Sequence, residues 1–481
     1  MNKIRAFLLF ASSPAKILMA AGLFFPFFLL PNICEAQYTV LHNFNDTAGL
    51  NPYLGAPVVS GKMIYGATQK GGANGDGCIF SLDTNGTRFK DLFDFNGTNG
   101  SDASGPLLLI KNKLYGTTSL GAAGNKGCVF SIDTNGSGYK DMEDFTGVNG
   151  SRPYGGLQLC GSRLFGMTAY GGNHSVGVVY SIDTNGTGFK VVTIFNGVSG
   201  SNPNGELTIL GNKLIGMTFA GGTFGEGDIF SMDTDGTAFK YILDFTGGNG
   251  AYPDGDVLFN NGVLYGMTEQ GGLNSQGNVF SIDTSGNGYK DLLDFNTANG
   301  LYPFGSLMLN AGTLYGLGTQ GGLNSDGLIF SIDTNGTGFA DLFDFNGTNG
   351  SIPYGSLTLS GASFYGMTYT GGTHNDGVVF KFTKENISTA TNQVKGESEK
   401  VKVFPNPSDG KFNVICHSER SEGSLQINVY NVLGNKVMVE IRRLADDDLI
   451  DISDQPNGVY LYRIIAADGG LLGEGKLIIN K

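Results

Sequence analysis

A period of 50 residues dominates this sequence. It is marked by one glycine per copy, at the end of "LYG" or an equivalent phrase: Gly66, Gly116, Gly166, Gly216, Gly266, Gly316 and Gly366. Seven copies at a fixed spacing indicate a repeat architecture, in which neighbouring units bury their apolar faces against one another. Glycine supplies 78 of the 481 residues, against a usual share of about 7%. Since no Gly-x-y triplet accompanies this excess, frequent tight turns explain it.

Each copy contains four short runs of strand character separated by turn residues. In the fifth copy they read "GDVLFN", "VLYGMTE", "NVFSIDT" and "YKDLLDF", here called strands a, b, c and d. Between c and d most copies carry Asn-Gly, for example Asn85-Gly86. This pair accepts positive φ at both centres of a two-residue hairpin turn. The pattern predicts a four-stranded antiparallel meander in each copy.

The two ends of the repeat region complement each other. The seventh copy stops at "GVVFKFTK" and has no strand d, whereas "YTVLHNFND" (38–46) stands alone before the first copy and matches strand d. In a closed ring the leading strand completes the last blade and leaves no unpaired edge at the join. A solenoid would instead require distinct polar caps at both ends. We therefore predict an all-β fold whose main part is a seven-bladed β-propeller closed by its N-terminal strand.

The segments before and after the repeats differ from them in composition and pattern. Residues 1–36 combine basic residues with the apolar run "ILMAAGLFFPFFLL", which is typical of a cleaved signal peptide and shorter than the roughly 20 residues of a membrane-spanning helix. Lipidation at Cys34 is the alternative, but Ile33 before it is a large residue. After the propeller at 37–385, the polar residues 386–400 are expected to form a linker. Alternating apolar strands at 401–481 predict a small Ig-like β-sandwich.

Two family resemblances accompany these patterns. Through "LYGMTxxGG", "GVVFSIDTNGTGFK" and "DFNGTNG", residues 38–385 resemble the GloVer repeat family. This resemblance implies an exported propeller-like protein and no established activity. Through "VFPNPSDGKFNV", "LQINVYNVLGNKV", "IDISDQPNGVYLYRI" and "GKLIINK", residues 401–481 resemble the type A C-terminal sorting domain of the type IX secretion system.

The second resemblance implies a Gram-negative bacterium, passage through the periplasm, and export across the outer membrane by recognition of the tail. The tail would then be removed or attached to surface glycolipid. An ordinary Ig-like module is the alternative. The expected partners are the type IX secretion machinery, through 401–481, and an extracellular glycan or protein ligand. Nucleic acid is not expected, because the net charge is −13 and the pI about 4.7. No transmembrane span is expected either.

Catalytic and cofactor motifs are scarce. Two of the four histidines, His174 and His374, occupy equivalent positions in distant blades, and no Ser/His/Asp, phosphate-loop or zinc spacing occurs. No cofactor is expected, with Ca²⁺ as the one ion to consider. Asp233 and Asp235 in "DTDGT" are its best candidates, but the downstream bidentate Glu of a full calcium loop is missing. A simple turn is the competing interpretation.

Binding is expected on the face that carries the d-to-a and b-to-c loops, because these are longer and more varied than the other loops. Where five copies open strand a with a small residue, two neighbouring copies have Glu206 and Asp256, with Asp254 close by. These carboxylates could converge at the mouth of the central channel, as an acid and base on a glycosidic bond or as cation ligands. Solvated surface acids are the alternative.

Aromatic residues also gather before strand a. They are Tyr53, Tyr154, Tyr252, Tyr302, Phe304 and Tyr354. The last five are the candidate ligand-binding residues, since exposed aromatic rings around a channel can stack on sugars. Packing between blades is the alternative.

Three functions follow from these patterns. The first is a non-enzymatic, secreted or surface-displayed propeller that binds carbohydrate or another extracellular ligand. The second is a polysaccharide-active enzyme of the glycoside hydrolase or lyase type, with Glu206, Asp254 and Asp256 near the channel. The third is a structural or adhesive surface protein. Nearly identical copies favour binding or scaffolding over catalysis, because an active site requires local departures from symmetry.

Overall fold

The computed structural model describes residues 37–383, 401–404, 408, 411–416, 424–431, 436–443, 448–465, 471–479 and 481. These residues form β-strands and turns, and none of them lies in a helix. The predicted signal peptide (1–36) and linker (386–400) fall outside the described residues.

Seven four-stranded antiparallel sheets form the blades of a β-propeller, as predicted. The first strand of the chain is β1 (Gln37–Asn43). Blade 1 contains β2 (Val58–Ser60), β3 (Met63–Ala67), β4 (Cys78–Asp83) and β5 (Lys90–Asp94). Blade 2 contains β6 (Leu108–Ile110), β7 (Lys113–Thr118), β8 (Cys128–Asp133) and β9 (Lys140–Asp144). Blade 3 contains β10 (Gln158–Cys160), β11 (Arg163–Thr168), β12 (Val178–Asp183) and β13 (Lys190–Ile194). Blade 4 contains β14 (Thr208–Leu210), β15 (Lys213–Thr218), β16 (Asp228–Asp233) and β17 (Lys240–Asp244).

The remaining three blades repeat this plan. Blade 5 contains β18 (Leu258–Asn260), β19 (Val263–Thr268), β20 (Asn278–Asp283) and β21 (Lys290–Asp294). Blade 6 contains β22 (Met308–Asn310), β23 (Thr313–Gly318), β24 (Leu328–Asp333) and β25 (Ala340–Asp344). Blade 7 contains β26 (Thr358–Ser360), β27 (Ser363–Thr368) and β28 (Val378–Thr383), with β1 as its fourth strand.

Strands b and c are buried along nearly their whole length, because each sheet packs between two others. A strand that is buried on both faces needs apolar residues at successive positions, which explains runs such as "CVF" and "VVY". The phrase "LYG" has a packing reason as well. A Cβ at Gly66 would lie 2.5 Å from the Phe80 ring, so only glycine leaves room for the aromatic residue of strand c.

One aromatic pair recurs at every blade interface. The last residue of the strand d segment packs edge-on against the strand c aromatic residue of the next blade, as Phe95 does on Phe130 at 5.3 Å between ring centroids. The equivalent pairs are Phe44–Phe80, Phe145–Tyr180, Phe195–Phe230, Phe245–Phe280, Phe295–Phe330 and Phe345–Phe380. An apolar cluster surrounds each of these contacts, and the seven clusters link blade to blade around the ring.

The N-terminal strand closes this ring. β1 pairs antiparallel with β28, from Gln37 opposite Thr383 to Asn43 opposite Val378. It also makes the contacts of an ordinary strand d with both neighbouring blades. Tyr38 stacks on Phe343 of blade 6 at 4.0 Å, and His42 stacks on Phe89 of blade 1 at 3.9 Å. The prediction that residues 38–46 complete the seventh blade is confirmed.

The c–d turns differ from the prediction. The Asp83 N–H donates to the Thr87 carbonyl, and the Gly86 N–H donates to the Asp83 carbonyl. Among the three residues between Asp83 and Thr87, only Gly86 has positive φ, so the connection is a three-residue loop with glycine in the left-handed position. The expected turn with positive φ at both centres is therefore wrong here. It occurs instead between strands a and b of blade 5, at Asn261 (φ 49°) and Gly262 (φ 87°).

The two faces of the propeller carry the loops that the meander order requires. The Ser151 N–H of a d-to-a loop donates to the Tyr170 carbonyl of a b-to-c loop at 2.8 Å. The Thr184 N–H of a c-to-d turn donates to the Ser162 carbonyl of an a-to-b turn at 3.0 Å. The longer loops thus share one face, here called the loop face.

The described residues of the C-terminal segment form two antiparallel sheets. One consists of β29 (Val401–Phe404), β30 (Lys411–Cys416) and β33 (Asp448–Asp451) in the order β29-β30-β33. The other consists of β31 (Ser424–Asn431), β32 (Lys436–Arg443), β34 (Gly458–Ile465) and β35 (Leu471–Ile479) in the order β32-β31-β34-β35. The packing of these sheets as an Ig-like sandwich stays a prediction.

In the part of the chain described above, no helix has the length and apolar character needed to cross a membrane.

Candidate functional site

A ring of glycines surrounds the propeller axis, one just before strand a in each blade: Gly55, Gly105, Gly155, Gly205, Gly255, Gly305 and Gly355. A Cβ at Gly155 would lie 2.1 Å from the Gly205 carbonyl oxygen, and a Cβ at Gly205 would lie 2.1 Å from that of Gly255. The contacts continue around the axis, with Gly355 against Gly55 and Gly55 against Gly105. The innermost backbone segments therefore touch one another, which only glycine permits. We call this set the glycine ring.

A cavity of about 250 Å³ lies next to the glycine ring on the loop face, and we call it the mouth cavity. Its lining combines two tyrosines with amide, carboxylate, guanidinium and hydroxyl groups from blades 1 to 5. The lining residues are Tyr53, Leu54, Gln69, Asp102, Ser119, Leu120, Arg152, Tyr154, Asn204 and Asp254.

The acids of the mouth cavity differ in their partners. Asp102 lies 3.1 Å from the Lys70 ammonium, and burial raises its pKa although Lys70 opposes the shift. Asp254 is 5% exposed, and its Oδ1 has no hydrogen-bond partner. Burial raises the pKa of Asp254 to about 7, an effect that the neighbouring Asn204 side chain partly offsets. Asp254 is thus the less well compensated of the two carboxyl groups.

One backbone position repeats around the loop face with an unusual conformation, and we call its seven residues the mouth ring: Asn51, Asp102, Arg152, Asn202, Tyr252, Tyr302 and Ile352. All have left-handed φ between 50° and 63°. This conformation disfavours side chains, and a β-branched residue most of all. Yet none of the seven is glycine, although the chain uses glycine freely elsewhere. The side chains differ widely between blades while the backbone stays the same.

A second cavity, of about 200 Å³, lies along the axis and is called the channel cavity. Residues of all seven blades line it, six of them at the position that follows the glycine ring. Those residues are Ala56, Pro106, Glu206, Asp256, Ser306 and Ser356, with Gly155 from blade 3. Asp254, Tyr154 and Asn204 line both cavities. None of the described residues that line the channel cavity is basic.

Glu206 leans around the axis towards blade 3. Its Oε2 accepts a hydrogen bond from Gln158, and its Oε1 lies 2.5 Å from where a Cβ on Gly156 would be. The absence of a side chain at Gly156 therefore makes room for this carboxyl group. Burial and the nearby Asp256 raise the pKa of Glu206, and the Gln158 hydrogen bond opposes them.

Asp256 continues the polar side of the channel. Burial raises the pKa of its carboxyl group, although both acids keep some contact with solvent in the channel. The Asp256 N–H donates to the Ser306 hydroxyl at 3.0 Å, and the Ser306 N–H donates to the Ser356 hydroxyl at 2.7 Å. Blades 4 to 7 thus present side-chain oxygens to the axis, opposite the smaller or apolar residues of blades 1 to 3.

The predicted aromatic residues lie in different surroundings. Tyr154 lines both cavities, and Phe304 lines the channel cavity. Tyr354 packs edge-on against Phe304 at 4.8 Å and against Tyr53 at 5.0 Å between ring centroids. Tyr252 and Tyr302 belong to the mouth ring, and these two contribute to neither axial cavity. Tyr252 stacks on Phe219 at 5.1 Å.

The predicted calcium residues lie on the other face, in a c-to-d turn. Asp233 forms an ion pair with Lys213 at 2.9 Å. The Asp235 carboxylate accepts hydrogen bonds from the Thr237 N–H and hydroxyl, at 2.8 and 2.6 Å. These hydrogen bonds lower the pKa of Asp235. Both side chains thus have partners within blade 4, Asp233 in strand b and Asp235 in the turn itself.

Sequence reasoning missed the mouth ring and the glycine ring. The glycine ring has a visible signal, a second glycine with the same 50-residue period. The mouth ring has none, because six of its seven residues precede proline, where extended backbone is the usual expectation.

Family comparisons agree with this architecture. The model of the Gloeobacter/Verrucomicrobia repeat matches residues 27–227 and 210–424. The chain belongs to this repeat family. The model of the secretion system C-terminal sorting domain matches residues 402–480 of the same repeat protein. Both expectations from sequence are therefore confirmed. The tail indicates a secreted or cell-surface protein of a Bacteroidetes-type bacterium that interacts with the type IX secretion machinery.

Comparison with curated proteins gave no significant match. Among solved structures, the repeat protein is similar to a chain of a Nidogen/Laminin complex, with 15% identity over 61% of this chain and 96% of that one (TM-score 0.41). It is similar to the β-propeller domain of the Trilobed protease from Pyrococcus furiosus, with 11% identity over 70% and 96% (TM-score 0.44). A fungal alcohol oxidase in complex with copper matches with 10% identity over 93% and 100% (TM-score 0.46). Identities this low concern the fold alone.

Proposed function

We propose that the exported repeat protein is a non-enzymatic binding propeller whose ligand is an extracellular carbohydrate. The ligand contacts the loop face around the mouth cavity. The repeats serve as a rigid scaffold, and specificity lies in the side chains that differ from blade to blade.

The mouth ring carries this proposal. Seven residues keep side chains in a backbone conformation that glycine would adopt at lower cost. Sparsely populated backbone conformations persist where a site requires them. The strain is most evident at Ile352, whose side chain is β-branched (φ 55°). Side chains that are retained against such a cost, and that comprise five residue types in seven blades, support selection for contacts with a ligand rather than for folding.

The chemistry of the mouth cavity favours a sugar as that ligand. Tyr53 and Tyr154 offer aromatic surface for the apolar face of a sugar ring. Gln69, Asn204 and Arg152 offer planar groups that can bond adjacent hydroxyls. A few convergent polar groups beside aromatic surface are typical of small-molecule sites.

A pair of matched variants tests the proposal. Arg152 and Arg88 both have φ 53° and both are exposed, but Arg88 lies in a c-to-d turn on the other face. Replacing either by glycine removes the same side chain and relieves the same backbone conformation. On a glycan array probed with the full chain, we expect Arg152→Gly to weaken binding of the recognised glycan at least tenfold. Arg88→Gly should bind as the wild type does. The proposal fails if the array shows no binding, or if the two variants behave alike.

One observation favours the enzymatic alternative. Glu206 has a raised pKa beside a second carboxyl group, Asp256, as in the acid and base pair of glycoside hydrolases. Incubating the full chain with the glycans that it binds, and measuring released reducing ends, tests this alternative. Hydrolysis that is lost in Glu206→Gln would favour the enzyme over the binding module.

A further inference from the structure

The channel cavity contains carboxyl groups without a basic partner. Glu206 and Asp256 line it from neighbouring blades, and the described lining residues include no Lys, Arg or His. Buried charges in proteins are paired, protonated or bound to metal ions. Among the residues that the structure describes, only Gln158 donates a hydrogen bond to the Glu206 carboxylate, to one of its two oxygens.

Asp254 is a second, independent indication that this cavity binds a ligand. Its side chain is 5% exposed, its Oδ1 has no hydrogen-bond partner, and it lines the same cavity. A buried polar atom without a partner is rare in folded proteins and calls for an explanation such as a bound ion. Asp254 also lines the mouth cavity, so this residue lies between the two cavities.

The remaining groups suit a hard cation. The hydroxyls of Ser306 and Ser356 accept hydrogen bonds from backbone N–H groups, and each keeps a second lone pair. With the carboxylates they place oxygen atoms on one side of a cavity of about 200 Å³, which leaves room for water ligands. Calcium takes six to eight oxygen ligands in flexible geometry, whereas magnesium requires near-ideal octahedral geometry. Ligands from separate blades fit the first ion better.

We propose that the channel cavity binds one calcium ion through the carboxylates of Glu206 and Asp256, with Asp254 at the edge of the site. The ion neutralises the acids and links blades 4 and 5 at the axis. This site is distinct from the carbohydrate contacts of the mouth and does not depend on them.

Isothermal titration of the chelator-treated full chain with CaCl₂ tests the proposal. We expect one calcium ion per chain, with an affinity in the range of about 10⁻⁴ to 10⁻³ M that extracellular calcium modules show. Glu206→Gln and Asp256→Asn should each weaken binding at least tenfold. Asp235→Asn is the control, because its carboxylate lies in a turn on the other face, and it should bind calcium as the wild type does.

Thermal unfolding supplies the second measurement. Calcium should raise the Tm of the wild type, whereas both amide variants should fold, melt higher than the wild type in EDTA, and not respond to calcium. Asp254→Asn replaces any amide variant that does not fold. The proposal is overturned if the wild type binds no calcium up to about 10 mM, tenfold above the weakest of those affinities. It is also overturned if the variant that combines Glu206→Gln with Asp256→Asn binds calcium like the wild type, or if Asp235→Asn loses calcium binding.

Discussion

Asp228 offers the sharpest quantitative prediction. It begins strand c of blade 4, is fully buried, and has no hydrogen-bond partner for either carboxylate oxygen. Blade 5 has Asn278 at this position, and its amide accepts from the Thr268 hydroxyl at 2.8 Å and donates to the Tyr289 hydroxyl at 3.0 Å. The equivalent position of blade 5 thus already holds a neutral side chain of the same shape. We expect Asp228→Asn to stabilise the propeller at neutral and alkaline pH.

The magnitude follows from the pKa. Burial raises the pKa of Asp228 from 3.8 to about 7, a difference worth about 4 kcal/mol at roughly 1.4 kcal/mol per unit. Because the folded pKa exceeds the unfolded one, the unfolded state loses its proton first as the pH rises. The free energy of unfolding is therefore unaffected below about pH 4 and falls progressively until the pH passes about 7. The asparagine variant has no such loss.

Denaturant unfolding of both proteins at about pH 4 and pH 8 measures this difference. The variant should gain about 2 to 4 kcal/mol over the wild type at the higher pH and almost nothing at the lower one. Asp235→Asn is the matched control, since hydrogen bonds lower the pKa of Asp235 and its pH dependence has the opposite sign. An unchanged pH dependence in Asp228→Asn would show that Asp228 ionises without cost, and would refute the reasoning.

Two further predictions concern the closure and the axis of the ring. Burial lowers the pKa of His42 to about 4, so the stabilising contribution of the neutral ring is present above about pH 6.5 and is lost as the pH falls to about 4. His42→Phe should remove this acid sensitivity, which unfolding at about pH 4.5 and 7 measures. An equal loss of unfolding free energy in both proteins would contradict it. Gly205→Ala should cost at least about 2 kcal/mol, because the new Cβ would lie 2.1 Å from the Gly255 carbonyl oxygen. Gly248→Ala is its control, since the nearest atom to that Cβ is 4.0 Å away, and equal Tm values for the two variants would show that the glycine ring is not close-packed.

The architecture could be predicted because its evidence is local and repeated. Alternating strands and a 50-residue period identify a blade, and a missing strand d with a spare one at the other end identifies the closure. The type of the c–d turn could not be predicted from Asn-Gly alone. It depends on how many residues separate the paired positions Asp83 and Thr87, and the sequence does not display that pairing.

The site was only partly predictable for a different reason. Glu206 and Asp256 are visible in the sequence as departures from the repeat, because the other blades have small or apolar residues there. Gln158 and Gly156, which accommodate Glu206 from the neighbouring blade, are not visible as its partners. Such contacts join residues about one repeat apart, and only the ring brings them together.

The arrangement also explains why the copies remain so similar. At the blade interfaces every copy meets the same demand, a strand c aromatic residue between a glycine of strand b and the aromatic residue of the preceding strand d. The glycine ring imposes a second demand that no copy can escape, since each glycine contacts the next. Side chains that leave these contacts do vary, as at the mouth ring, along the channel cavity and in the b-to-c loops. Because the blade interfaces and the glycine ring are nearly the same in every copy, a ligand that distinguishes one blade from another must contact these variable side chains, on the loop face or in the channel cavity.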